Sequence, residues 1–128
     1  FNLVNLPPDL MVQSILNGNV DMIVIWEPLA SRAISAGCKV FMTYEDLWKK
    51  ATNSSRKPIM IVYVATKKFV EYKRDLIEKF LEMRSEAVKI WNNNYNIAKN
   101  ILMKYYKLDE NSSKILYNNL EFYPYKEI

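Results

Sequence analysis

The sequence predicts an α/β domain, and three features carry that expectation. Short β-branched, apolar runs recur between helical patterns, Pro or Gly stands at most junctions, and one run, Val20 to Trp26, is apolar nearly throughout, as in a strand covered on both faces of a parallel sheet. With 128 residues, 50% of them apolar and 25% charged, the chain suits one compact core and is too apolar for disorder.

Phe1 to Leu6 reads as the first strand, stopped by Pro7-Pro8, where proline also presets the first turn of a helix. Met11, Val12, Ile15 and Leu16 recur at the spacing of one helical face, and Gly18 within Asn17-Gly18-Asn19 supplies the stop. After the strand Val20 to Trp26, Glu27-Pro28 starts a second helix, with the Glu27 carboxylate beside its positive end and Leu29, Ala30, Ala33 and Ile34 facing inward. Gly37 ends it. Lys39 to Thr43 reads as a third strand, Glu45 to Ala51 as a short helix, and Thr52 to Lys57 as a surface loop.

Beyond Pro58 the chain turns helical. Ile59 to Thr66 is a further β-branched strand, and it leads into one helix of about six turns with Phe69, Leu76, Ile77, Phe80, Leu81, Ala87, Val88 and Trp91 on one stripe. Asn92 to Asn94 interrupts it. Tyr95 to Tyr106 places Ile97, Ala98, Ile101, Leu102 and Tyr105 on a second helical face, and Asp109 caps a last helix running to Leu120, before an aromatic tail from Phe122 to Ile128. Parallel βαβ units followed by a helical part that packs on the sheet are the expected architecture.

Composition removes several kinds of chemistry. With no His, neither Ser-His-Asp nor Cys-His catalysis is available, and the commonest catalytic zinc ligand is absent. Cys38 stands alone, which excludes an internal disulfide, and it reads as a small packed residue. The net charge of +4 is spread out; its densest group, Lys67, Lys68, Lys73 and Arg74, reads as a solvated helix face, so nucleic acid is not indicated as a partner. The longest apolar run, Ile59 to Ala65, is far short of the roughly 20 residues that span a membrane.

The order of strand, Pro7-Pro8-Asp9, helix, Asn17-Gly18-Asn19-Val20-Asp21, apolar strand, Trp26-Glu27-Pro28, helix ending in Ala36-Gly37, and strand resembles the C-terminal half of ABC-importer solute-binding proteins of the nitrate, sulfonate and taurine type. In that family a Gly-x-Val-Asp step precedes a buried strand that ends in Trp, an acidic residue and Pro. Ile59 to Thr66 resembles the family's strand crossing between lobes, and Phe69 to Trp91 its following long helix. The resemblance implies a type II, periplasmic-binding-protein-like fold. Residues 1–57 would be the βαβ part of the second lobe, and residues 58–128 the crossing strand and C-terminal helices of the first, with the amino-terminal lobe absent from this chain.

The implied function is capture of a small organic or inorganic solute in an interlobe cleft, for delivery to a membrane permease from an extracytoplasmic location. No reaction, cofactor or metal is expected. In an open parallel sheet the carboxyl ends of the strands form the ligand crevice. Asn5 and Pro7 stand where the first strand ends, Trp26 and Glu27 where the second ends, Tyr44 where the third ends, and Tyr63 on the crossing strand. Trp26 reads equally as a core aromatic or a stacking surface. The helix starts after Pro8 and Pro28 offer N–H groups to an anion, whereas Glu27 favours an amine or a neutral hydrogen-bond donor, so the solute's charge stays open. Two other readings share the fold: an effector-sensing domain of a regulator, and an enzyme resembling pyrimidine-precursor synthases or menaquinone-pathway dehydratases. The enzyme would have only Glu27, Asp9 or a tyrosine for acid and base work. Without the first lobe, sheet edge and helix faces would lie bare, and self-association of the chain is expected.

Overall fold

The structure is a computed structural model that describes residues 2–58 and 60–123. The expected strand starts at Phe1 and Ile59, and the end of the aromatic tail beyond Tyr123, lie outside the described residues. Seven helices are formed among them: α1 (Pro8–Leu16), α2 (Leu29–Ser35), α3 (Tyr44–Thr52), α4 (Lys67–Tyr72), α5 (Arg74–Asn93), α6 (Tyr95–Tyr106) and α7 (Glu110–Asn119).

The α/β expectation is overturned. Among the described residues there is no strand and no sheet, and the described parts of the four segments expected as strands form neither helix nor strand. A β-branched run favours an extended backbone, but a strand exists only where a neighbour accepts and donates its ladder hydrogen bonds, and no such ladder forms among the described residues. In a βαβ unit the inner face of the crossover helix covers a sheet. Here Ser31 and Ala33 of α2 are buried while that helix packs on α7, so its inner face is already occupied. Val20 to Trp26 was the clearest expected core strand, yet Met22, Val24 and Trp26 are exposed and Val20, Ile23 and Ile25 are no more than half-buried.

Helix starts and stops follow the local chemistry. Pro8 opens α1, and Gly18 leaves it with φ +72°; Gly37 follows α2 with φ +102°, a backbone region that favours glycine. Thr43 and Asp46 form a reciprocal capping box at α3, while the side chains of Asn94 and Asp109 accept the Ile97 and Ser112 N–H groups at the starts of α6 and α7. The expected six-turn helix is divided. Lys73, at φ −133° and ψ 35°, ends α4 by donating its N–H to Phe69 O and begins α5 by accepting from Leu76 N and Ile77 N.

Packing runs along a chain of helix neighbours, with α1 on α2, α2 on α7, α7 on α6, α6 on α5 and α5 on α4. Leu102, Leu108 and Leu116 make the core cluster, backed by Trp91 and Leu120. Of the five residues expected on the inner face of α6, Ala98 and Leu102 are buried, whereas Ile97, Ile101 and Tyr105 are exposed. Two long-range clasps hold α2 in place: Arg32 Nη2 donates to Tyr106 O at 2.9 Å, and Asn111 Nδ2 donates to Ser35 Oγ at 2.9 Å. No described helix is long and apolar enough to cross a membrane.

Candidate functional site

The corner Trp26-Glu27-Pro28 joins an extended segment to the start of α2. Its backbone turns into the helix as Trp26 O accepts from Ala30 N at 3.0 Å, and Glu27 Oε2 accepts from Ser31 N at 3.0 Å. The carboxylate therefore satisfies one of the N–H groups that a helix start leaves without an intrahelical partner. Among the described residues, the other Glu27 oxygen has no hydrogen-bond partner. Trp26, the preceding residue, is 59% exposed, and Glu27 is half-buried. That pair can stack a planar or apolar group and accept a hydrogen bond or an ammonium contact.

The other positions singled out from the sequence lie on different segments of the chain. Asn5 is exposed on the lead-in to α1, and Pro7 precedes that helix, its carbonyl accepting from Leu10 N at 3.0 Å. Tyr44 is the first residue of α3 and is exposed. Tyr63 leans on α5: its ring meets Phe80 edge-on at 5.3 Å between centroids, and its hydroxyl accepts from Arg84 Nε at 2.9 Å. Among the described residues no hydrogen bond or ring contact joins these six positions to one another.

A different concavity, of about 670 Å³, opens between the end of α5, the end of α7 and residues 120–123. Its apolar wall is an aromatic cluster in which Trp91 lies 5.5 Å from Tyr117 and 5.3 Å from Phe122, and Tyr95 lies 5.0 Å from Tyr117. Tyr117 Oη donates to Trp91 O at 3.1 Å, and Asn92 Nδ2 donates to Phe122 O at 3.3 Å, so much of the polar lining is already engaged. At its rim Glu121 takes the Lys57 ammonium and the Tyr123 hydroxyl. These two donors, Lys57 first, hold the Glu121 carboxyl below its ordinary range; in turn Glu121 raises both Lys57 and Tyr123 above theirs.

Tyr117 and Phe122 pack through their rings, whereas Tyr105, Tyr106 and Tyr123 are exposed. The concavity itself was not anticipated. It depends on α7 returning to α5 across 26 residues, and such a closure leaves no local pattern in the chain.

The sequence model of the NMT1-like family matches residues 1–103, and the chain belongs to that family, a member of the nitrate, sulfonate and taurine type of solute-binding superfamily. The match covers Trp26, Glu27 and Pro28 together with α1 to α5 and most of α6. Membership places the chain among solute-binding and related ligand-binding domains. No curated protein and no solved structure matches it.

Proposed function

We propose that the protein is the substrate-binding component of an ABC importer. It captures a small organic or inorganic solute on the outer side of the cell membrane and passes it to a membrane permease without chemical change. The observation that carries this reading is the family match over residues 1–103, which includes the corner where exposed Trp26 is followed in sequence by Glu27, whose Oε2 accepts from Ser31 N. Binding without turnover suits the residues present, since the corner offers a stacking surface and a hydrogen-bond acceptor but no histidine.

The test is a titration of the chain with nitrate, taurine, a simple alkyl sulfonate, a small amine and a neutral heterocycle, followed by tryptophan fluorescence and calorimetry. The expected result is saturable one-to-one binding of one class, lost in Trp26→Ala. A folded chain whose fluorescence and melting temperature respond to none of the five classes overturns the reading.

A further inference from the structure

We propose that α5 carries a second docking face, and that its occupant is α5 of another copy of this chain lying antiparallel to it. The inference is independent of which solute, if any, is bound.

The helix has two stripes side by side. Ile77, Leu81, Arg84, Val88 and Trp91, spaced alternately four and three residues apart, form the covered one: Val88 is buried and the other four are half-buried. Leu76, Phe80, Met83, Ala87 and Ile90 keep the same alternation one residue earlier, and all five are exposed, Met83 at 64% and Ile90 at 51%. Arg74 to Asn93 is one unbroken helix of 20 residues, so these five fall along a single line of its surface. Alternating spacings of four and three are the repeat that holds one seam of a helix against a partner helix over several turns.

An apolar stripe alone would suit many partners, and the charges beside it favour a second copy. Lys79 and Glu86 flank the exposed stripe on the side away from the covered one, and neither has an ion-pair partner among the described residues. In an antiparallel pair centred between them, Lys79 of each copy falls opposite Glu86 of the other, so two opposite-charge contacts form together. The same register sets Phe80 against Met83, and Leu76 against Ala87, of the other copy. Further from the seam, Asp75 and Lys89 oppose each other in the same sense. Glu82, near the axis, lies further round the helix toward solvent, where its counterpart is screened. Parallel docking would instead bring Lys79 toward Arg84 of the other copy, a like-charge approach. An apolar partner without this order of charges leaves both Lys79 and Glu86 unmatched.

The experiment is sedimentation equilibrium with light scattering of the whole chain from low to high micromolar concentration. It includes Met83→Asp, Lys79→Glu, Glu86→Lys, an equimolar mixture of the last two, and Val24→Asp, an exposed apolar position outside the helices. The expected mass at high concentration is twice 15.1 kDa. Met83→Asp weakens association at least about tenfold, as loss of a central interface residue does. Each charge reversal weakens it by about tenfold, because two attractive contacts become repulsive at once. Mixing the two charge-reversed chains restores association, since every contact across the seam between unlike chains is again opposite in sign. Val24→Asp leaves the dimer intact, and circular dichroism keeps its helical signal in every variant, all of them at exposed positions.

A single-chain mass at every concentration overturns the proposal and leaves the stripe to a different segment or partner. Association that is no stronger in the mixture than in either charge-reversed chain overturns the antiparallel pairing. Association that Val24→Asp reduces as much as Met83→Asp overturns the assignment to α5.

Discussion

Asp109 and Ser112 are locked together at the start of α7: one Asp109 oxygen accepts the Ser112 N–H at 2.9 Å and the other accepts the Ser112 hydroxyl at 2.6 Å. Ser112 is fully buried, so Asp109 is both the cap of the helix and the partner of a hydroxyl that cannot reach water. Asp109→Ala is expected to lower stability by about 1–3 kcal/mol, the cap loss plus an unpaired buried hydroxyl, and Asp109→Asn by less. Urea denaturation followed by circular dichroism checks this. Equal losses for the two variants would mean that the paired oxygens do not matter.

The same contact makes stability depend on acid. Hydrogen bonds from Ser112 hold Asp109 below its ordinary 3.8, and those from Thr43 do the same for Asp46. Lys99 lowers Glu110, and Lys57 with Tyr123 lowers Glu121, below the ordinary 4.5. A carboxyl depressed by folding stabilises the fold above its unfolded value, and that contribution disappears as pH falls through the folded one. Lys57 and Lys99 are raised above 10.5, so their contribution is present below that value and lost as pH rises past the folded one. Thermal melts should therefore show a plateau between about pH 5 and pH 9.5 and a decline below about pH 4, shallow because most of these groups are exposed. A melting temperature that rises on acidification contradicts these contacts.

Helix boundaries were legible in the sequence because the groups that make them are close in the chain. Pro8, Gly18, Glu27, Gly37 and Asp109 each act within four residues of themselves, and each does in the structure what its chemistry indicates. The break at Lys73 left no trace, since no Gly or Pro marks it. The four strand expectations failed for the opposite reason. Residues such as Val24 and Ile61 announce an extended backbone, but pairing depends on a distant segment that local pattern does not name. Trp26 and Glu27 were foreseen as neighbours by adjacency alone, whereas Arg84 beside Tyr63, 21 residues apart, was not foreseen.

Core placement separates two neighbours on α6. Leu102 is 2% exposed against Leu108 and Leu116, while Ile101, expected on the same inner face, is exposed. Leu102→Ala should cost about 2–5 kcal/mol through lost burial and a cavity, and Ile101→Ala no more than about 1 kcal/mol. Against a total of roughly 5–15 kcal/mol for an ordinary domain, the first change threatens folding and the second does not. Denaturation midpoints of the two variants decide it; similar losses would put Ile101 in the core.

Glu27 separates a structural from a solute-binding role within a single side chain. Its Oε2 caps α2 through Ser31 N, and Glu27→Gln retains an oxygen acceptor while removing the charge. Stability should fall by a few tenths of a kcal/mol in Glu27→Gln and by about 1 kcal/mol in Glu27→Ala, where the Ser31 N–H loses its partner. Trp26→Ala should leave stability within about 0.5 kcal/mol, because the ring is largely exposed, yet weaken solute affinity at least about tenfold. With both measured, Glu27→Gln reports the sign of the solute at nearly constant stability. Affinity that falls in Glu27→Gln marks an amine or a hydrogen-bond donor, because the lost charge attracted it; affinity that rises marks an anion, because the lost charge repelled it. Unchanged affinity in both Glu27→Gln and Trp26→Ala, measured on folded variants, would remove this corner from the binding site.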